Sequence, residues 1–352
     1  MINRSTALVA LSLLLPAQVT AASPASLRVV SRSPLPASVS LAYDIRWKDD
    51  HTLLLAAGRA GVMAVDLRKP AIASTIIRGG GMPRATDGPV PSFFFSTLLA
   101  KSQDYLIAGS WFRAFAWLPA NNQRLIDAPF ANIIDLDVRG DRLILLGVRG
   151  DAMGRWGSVG ATLWSAKLTS DRAYLDALPG PDVEPMRDCQ ILGIGAVRFL
   201  PNGSFLVAPG VEPGVRLHDA QGRLIRSWST EGLGYLDRCT LTSEQSAALA
   251  ELAPRRSWQN RREMLDELVA LPEGPMLIVR QPVPHGTKWR GILLPFDGTP
   301  VPITLPITSS SPYSHVKADV RGGKVAFVLW EALNENERPV NEPRIVIAKV
   351  IR

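Results

Sequence analysis

The sequence predicts an all-β protein, a six-bladed β-propeller whose blades are four-stranded antiparallel sheets. Short apolar segments separated by turn residues recur along the chain, and residues 196–229 contain one complete set of four. Hydrophobic residues make up 46% of the chain, with 28 Gly and 28 Pro, which is typical of many short strands joined by turns. At 352 residues the chain is long for one ordinary core, but a propeller reaches this size because each blade packs only on its neighbours.

Residues 196–229 serve as the template blade. Segments 196–200 and 204–208 are joined through Asn202-Gly203, a dipeptide that favours the positive φ angles of a tight hairpin. Segments 214–219 and 223–228 are joined through Gln221-Gly222. This pattern of two hairpins, with Pro-Asn-Gly in the first turn and Gln-Gly in the second, resembles the six-bladed propellers of the NHL and TolB-like kind. The resemblance implies a fold and leaves the activity open.

The other blades follow the template in chain order. The predicted strands are 39–47, 52–57, 62–67 and 71–77 in blade one, 92–100, 105–108, 114–118 and 123–126 in blade two, and 132–139, 142–148, 161–168 and 172–178 in blade three. They are 264–271, 275–281, 288–295 and 301–305 in blade five, and 315–320, 324–331 and 344–351 in blade six. Because blade six lacks a fourth strand, the segment at 26–33 is expected to supply it and close the ring.

An insertion at residues 230–263 interrupts the repeat between blades four and five with helical signals. Thr242 and Gln245 form a capping box at the start of a helix near 241. Pro254 is expected to end that helix, and a second short helix is expected at about 257–263.

The first 21 residues have the features of a secretory signal peptide. Arg4 precedes an apolar run at 7–15, and Val19-Thr20-Ala21 is a small-x-small cleavage site. The propeller domain is therefore expected at 22–352, in a protein exported to the periplasm or secreted. The apolar run is too short to span a bilayer, so no membrane span is expected. In that compartment Cys189 and Cys239 are expected to form a disulfide, the alternative being two buried thiols.

The long connections are predicted to share one face of the propeller, because alternate connections leave a blade at opposite ends. They are 78–91, 149–160, 179–190, 230–263, 282–287 and 332–343. Loops on a rigid scaffold commonly carry binding groups, and aromatic rings beside guanidinium groups stack on sugars and pair with anions. The candidate ligand-binding residues on this face are Trp111, Arg113, Arg155, Trp156, Arg187, Tyr235, Arg238, Trp258, His285 and Trp289. Each tryptophan has the alternative role of packing blades together.

A second candidate site lies on the first strands, which line the channel of a propeller. Carboxylates that converge on one axis suit Ca²⁺, and propellers of the lactonase kind use such a site. The candidate metal ligands are Asp44, Asp135, Asp137, Asp266 and Asp319. The alternative is that such carboxylates cap turns or point away from the channel.

These observations favour an exported scaffold that binds a ligand or partner through its long-loop face, and not an enzyme. No G-x-S-x-G, H-E-x-x-H or P-loop motif is present. The net charge of +7 without a long basic block indicates either a solvated surface or an anionic partner, such as a glycan, a cell-envelope component or another protein, and no nucleic acid. We expect a monomer without a cofactor. The alternative is a metal-dependent hydrolase, similar to a lactonase, with Ca²⁺ in its channel.

Overall fold

The structure is a computed structural model. It describes residues 26–78, 97–110, 113–117, 123–126, 132–148, 163–168, 175–178, 189, 192, 194–210, 212–235, 238, 240–312, 314–331 and 344–351. The predicted signal peptide and the predicted loops at 149–160 and 332–343 lie outside these residues, as do most of the loops at 78–91 and 179–190.

The described strands form six sheets, numbered here in chain order. The chain enters through β1 (Ser26–Pro34), and sheet 1 contains β2 (Asp44–Trp47), β3 (Thr52–Ala56), β4 (Gly61–Asp66) and β5 (Ala73–Arg78). Sheet 2 contains β6 (Leu98–Lys101), β7 (Leu106–Ser110), β8 (Arg113–Trp117) and β9 (Gln123–Ile126). Sheet 3 contains β10 (Asn132–Arg139), β11 (Arg142–Val148), β12 (Leu163–Lys167) and β13 (Leu175–Ala177).

The second half of the chain repeats this arrangement, with a helical insertion between sheets 4 and 5. Sheet 4 contains β14 (Ala196–Phe199), β15 (Phe205–Ala208), β16 (Val215–His218) and β17 (Leu224–Trp228), and helices α1 (Ser243–Ala248) and α2 (Leu252–Gln259) follow it. Sheet 5 contains β18 (Met264–Leu271), β19 (Gly274–Val283), β20 (Gly286–Leu293) and β21 (Val301–Ser309). Sheet 6 contains β22 (Ser314–Arg321), β23 (Lys324–Glu331) and β24 (Arg344–Ile351).

The N-terminal strand completes sheet 6. The sheet has the order β1-β24-β23-β22, and β1 runs antiparallel to β24 from the pair Ser26–Ile351 to the pair Pro34–Arg344. The predicted exchange of the N-terminal strand into the last sheet is therefore confirmed. The all-β propeller class and the four-stranded antiparallel sheets are confirmed as well.

The core consists of apolar layers between neighbouring sheets. One cluster joins Leu54 of β3 to Leu99 of β6, between sheets 1 and 2, and another joins Ile45 of β2 to Val328 of β23, between sheets 1 and 6. The first strands contact one another in the order β2, β6, β10, β14, β18, β22, and β22 contacts β2 again. Each sheet is thus held by its two neighbours, which leaves the inner edges of the first strands facing a common interior.

The helical insertion differs from the prediction at its proline. The capping box is confirmed, because the Thr242 hydroxyl accepts from the Gln245 N–H and the Gln245 side chain accepts from the Thr242 N–H. The expectation that Pro254 ends the first helix is wrong, since Pro254 is the third residue of α2. Proline is tolerated there because the first turn of a helix needs no intrahelical N–H donor.

The predicted long loop at 282–287 is also wrong. β19 and β20 pair as far as Val283 and Gly286, which leaves a turn of Pro284 and His285. Gly286 has a φ of 134°, and a Cβ at this position would lie 2.0 Å from the Ser309 carbonyl oxygen. A close main-chain approach therefore requires glycine here and lets both strands extend further than the sequence indicates.

The cysteine pairing stays a prediction. No cysteine among the described residues is free, and Cys189 is buried in the cluster between sheets 4 and 5. Cys239 lies outside the described residues.

Candidate functional site

Charged side chains from five sheets meet inside the ring of first strands. Arg46 of sheet 1 lies 4.0 Å from Asp135 of sheet 3, although these sheets are separated by sheet 2, whose strand β6 contacts both β2 and β10. The contact therefore crosses the interior of the ring. The group is called here the axial network, and its members are Asp44, Arg46, Asp135, Arg198, Glu267 and Lys317.

The axial network alternates cations and carboxylates. Arg198 donates to Asp135 and to Glu267 at 2.5 Å each. The Lys317 ammonium lies 3.3 Å from the second carboxylate oxygen of Glu267, and Arg46 donates to Asp44 at 2.7 Å. With three charges of each sign the network is neutral, which limits the cost of burying it.

The surroundings shift the pKa values of the two central carboxyls in opposite directions. Burial acts to raise the pKa of Asp135, but Arg198, Lys317 and Arg46 together hold it below its ordinary value. Burial dominates at Glu267 and raises the pKa of its carboxyl despite Arg198 and Lys317. The ionised form of Asp135 therefore depends on cations from three other sheets.

Two β-bulges aim the carboxylates of sheets 3 and 5 inward. The pairing register shifts between Ile133 and Asp135 in β10, and between Leu265 and Glu267 in β18. A bulge places two consecutive residues opposite one and redirects the side chain that follows. Asp135 and Glu267 consequently occupy equivalent positions on either side of Arg198.

The five aspartates predicted as Ca²⁺ ligands each bind the main chain of the next sheet. Asp44 accepts from the Leu99 N–H at 2.8 Å, and Asp135 accepts from the Val197 N–H at 2.9 Å. The remaining acceptor–donor pairs are Asp137 with Phe199, Asp266 with Val316 and Asp319 with Trp47, at 2.7, 3.3 and 2.7 Å. These carboxylates join neighbouring sheets by hydrogen bonds.

The calcium hypothesis stays a prediction. Among the described residues, no three His, Cys, Asp or Glu side chains are grouped as metal ligands. A Ca²⁺ ion at the predicted aspartates would compete with the main-chain bonds named above and with the nearby arginines. The geometry explains these aspartates as links between sheets, without a metal.

Asp137 is expected to make the fold less stable as the pH rises from about 4 to about 6. Burial raises the pKa of its carboxyl from 3.8 to about 6, against the opposing effects of Arg198 and Arg46. The folded state therefore holds this proton more tightly than the unfolded state, so the stabilisation is complete below pH 3.8 and is lost as the pH passes 6. We expect Asp137→Asn to gain stability relative to the parent across this range, by at most roughly 3 kcal/mol at pH 7.

Urea denaturation of both proteins between pH 4 and pH 7 measures this difference. Asp141→Asn is the matched control, because it removes a more exposed carboxylate from the turn of the same hairpin. A difference between Asp137→Asn and the parent that does not change with pH contradicts the prediction.

An aromatic and basic group lies where the first strands begin, at the end of the channel that carries the helical insertion. The His315 ring stacks on Trp330 at 4.9 Å, and Tyr43 contacts the same indole at 5.1 Å. His315 is held from both sides, by Asp266 at 3.2 Å from Nδ1 and by Arg280 at 3.4 Å from Nε2. Burial lowers the pKa of His315, which keeps this imidazole neutral near pH 7.

Arginines of the β3–β4 turn and of α2 both act on the Tyr43 hydroxyl. Burial raises the pKa of the Tyr43 hydroxyl, while Arg256 of α2 and Arg59 of the β3–β4 turn oppose that rise. Burial, and then Arg256, lowers the pKa of the neighbouring Arg255. The channel mouth is defined here as Tyr43, Arg59, Arg256, Arg280, His315 and Trp330.

Buried Arg280 holds α2 over the channel mouth. It donates to the Gln259 carbonyl at 2.7 Å and to the Asn260 side chain at 3.4 Å. Gln259 in turn donates to the Leu192 carbonyl at 3.0 Å, which connects the helix to the segment before sheet 4. The insertion is therefore fixed to sheets 4 and 5 at the end of α2, next to Arg256.

The structure brings together only part of the predicted loop-face group. Tyr235 and Trp258 pack against the same apolar cluster, and the Arg262 guanidinium lies 3.8 Å from the centroid of the Trp258 ring. Arg238 is exposed and pairs with Glu231 at 2.7 Å. Trp111, Arg155, Trp156 and Arg187 lie outside the described residues, as does the side chain of Arg113.

Trp289 and His285, which were predicted to lie on the long-loop face, have different surroundings in the structure. Trp289 is buried, with 3% of its surface exposed, and its indole N–H donates to Asp266 at 2.7 Å. It is therefore a packing residue and not an exposed binding residue. His285 is exposed in the two-residue turn between β19 and β20.

The residues of the channel mouth were not among the site predictions. Arg280 carries a signal, because its charge follows the apolar run Met276–Val279 directly and still lies inside a strand. Tyr43, Arg59 and Trp330 are far apart in the sequence and have no common motif.

Comparisons with known proteins give structural similarities at low sequence identity. No protein-family profile and no curated protein sequence matches the chain. A solved structure of a DUF4221 family member from Bacteroides vulgatus is similar over 93% of this chain and 98% of that chain, with 11% identity and a TM-score of 0.53. The WD40 propeller domain of Doa1 covers 92% and 97%, with 12% identity and a TM-score of 0.47.

A further similar structure is virginiamycin B lyase from Staphylococcus aureus, over 93% of this chain and 100% of that chain, with 8% identity and a TM-score of 0.49. At 11% identity, the likeness to the DUF4221 family structure shows the fold alone. Within the described residues, no helix is both long enough and apolar enough to cross a membrane.

Proposed function

We propose that this protein is an exported six-bladed propeller of the NHL and TolB-like kind that acts as a binding scaffold, and that it binds an anionic ligand at its channel mouth. The ligand class that fits best is an acidic glycan or another anionic component of the cell envelope. The cyclic contacts of the six first strands support six blades. Export and a Cys189–Cys239 disulfide belong to this proposal, as does a monomeric state.

The observation that carries the proposal is that the charges of Arg59 and Arg256 both act on the Tyr43 hydroxyl. The two guanidinium groups come from sheet 1 and from α2, and both influence the Tyr43 hydroxyl beside Trp330. Aromatic faces stack on sugar rings, and guanidinium groups pair with carboxylates and phosphates. The site therefore offers aromatic faces to the ring of an acidic sugar and guanidinium groups to its charged group.

The axial network lies between the channel mouth and the rest of the channel. Buried side chains of five sheets bond to one another across the interior of the ring. A ligand at the mouth is consequently expected to rest on this layer and not to enter the channel. Binding from one face is typical of a recognition platform.

Arg256→Gln is expected to weaken binding of an acidic oligosaccharide by about tenfold or more, because a hydrogen bond to a charged group contributes roughly 1.5–3 kcal/mol. The probe is an oligogalacturonide titrated into the protein by calorimetry, with a neutral galacto-oligosaccharide of equal length in parallel. Arg59→Gln is expected to act in the same direction.

Arg223→Gln is the matched control, since Arg223 is an exposed arginine of the β16–β17 turn whose partner is Asp219. It is expected to leave the affinity unchanged. Equal binding of the acidic and neutral oligosaccharides, no binding of either, or an affinity that survives both mouth substitutions overturns the proposal.

A further inference from the structure

Several polar atoms of the axial network lack a hydrogen-bond partner within the described part of the chain. They are the Nε and Nη2 atoms of Arg46, Oδ1 of Asp135 and Nε of Arg198. The side chains of Arg46, Asp135 and Arg198 are 5%, 1% and 7% exposed. Leaving such atoms unpaired is unfavourable, most of all for charged groups, so buried polar atoms are nearly always paired.

Two of these atoms face each other at a distance that suits one bridging molecule. Nη2 of Arg46 and Oδ1 of Asp135 are 4.0 Å apart, which is too long for a direct hydrogen bond. A water oxygen about 2.8 Å from each atom would form an angle of about 90° between them, within the range of water bridges. Arg46 offers a donor to it, and Asp135 offers an acceptor.

The charge of the network decides which molecule fits. A Ca²⁺ ion would lie beside Arg46, Arg198 and Lys317, and an anion would lie beside Asp44, Asp135 and Glu267. Either ion would add charge to a group that is already neutral and buried. A water molecule adds none and pairs with donors and acceptors alike.

We propose that the channel axis contains a buried structural water site in which at least one water bridges Arg46 Nη2 to Asp135 Oδ1. This water links sheet 1 to sheet 3, between which sheet 2 lies. The site completes the polar layer below the channel mouth. It does not depend on the proposed ligand binding, because it concerns buried groups of the axial network alone.

Oxygen-17 magnetic relaxation dispersion, which counts waters with long residence times, tests the site in the whole protein. The parent is expected to hold at least one more such water than the double variant Arg46→Met, Asp135→Leu, which replaces both partners by apolar groups. Arg223→Met provides the matched control and is expected to keep the parental count. An equal count in the parent and a folded double variant overturns the proposal.

A crystal structure of the parent at high resolution decides the matter if the double variant does not fold. The expected result is a water within hydrogen-bond distance of both Arg46 Nη2 and Asp135 Oδ1. A direct Arg46–Asp135 hydrogen bond with no water between them overturns the proposal. An anomalous signal at this position, together with stoichiometric calcium by elemental analysis, does so as well and favours the metal-dependent alternative.

Discussion

Removing β1 is expected to lower the melting temperature on the order of 10 °C or to abolish folding. Without β1, the strand β24 loses its antiparallel partner along its whole length and becomes an exposed edge. Leu27 and Val29, which pack on the apolar cluster between sheets 5 and 6, are lost with it. A loss of several kcal/mol corresponds to roughly 2–4 °C per kcal/mol for domains of 150–250 residues.

The measurement is a thermal melt of two truncated chains. The chain without residues 1–34 lacks β1, whereas the control chain without residues 1–25 keeps all of it. The control is expected to melt like the parent chain. If both truncated chains melt at the same temperature as the parent, β1 does not close the ring in solution.

Arg198→Met is expected to destabilise the fold by about 3–5 kcal/mol, the typical cost of removing one partner from a buried ion pair. Its guanidinium group serves two buried carboxylates, Asp135 in sheet 3 and Glu267 in sheet 5. Methionine preserves most of the packing volume but leaves both carboxylates without their shortest ion pair. Urea denaturation of the folded protein measures the change.

Two further variants separate the buried network from surface charge. Arg223→Met removes an 80% exposed arginine from the turn between β16 and β17 and is expected to cost at most about 1 kcal/mol. The triple variant Asp135→Asn, Arg198→Met, Glu267→Gln removes all three charges together and is expected to recover part of the loss. A single variant as stable as the parent contradicts the assignment of Arg198 as the central cation.

The repeat could be predicted from the sequence because each sheet is encoded locally. Turn dipeptides such as Asn202-Gly203 and alternating apolar residues specify hairpins within about thirty residues. The strands β10, β11, β18, β23 and β24 have the predicted bounds. One error falls where a distant contact constrains the local conformation, at Gly286, where the main chain of residues 309–310 leaves no room for a side chain.

The residues of the candidate site were harder to predict from the sequence than the repeat. Strand periodicity places adjacent residues such as Asp266 and Glu267 on opposite faces. A bulge in β18 changes this, so that Asp266 reaches the channel mouth and Glu267 reaches the axial network. The predicted aspartates do lie on the first strands, but each also accepts from a main-chain N–H group of the next sheet, which no sequence pattern indicates.

By itself the sequence determined the class of fold, which depends on turn chemistry, and the capping box of α1, which depends on local hydrogen bonds. It also determined that the N-terminal strand joins the last sheet, because the last blade has only three strands of its own. Only the tertiary structure decided which charges meet. Arg46, Asp135, Arg198 and Glu267 are separated by up to 221 positions but lie within one buried network. The physical reason is that ring closure sets these distances, and ring closure is a property of six sheets packed together and not of any one segment.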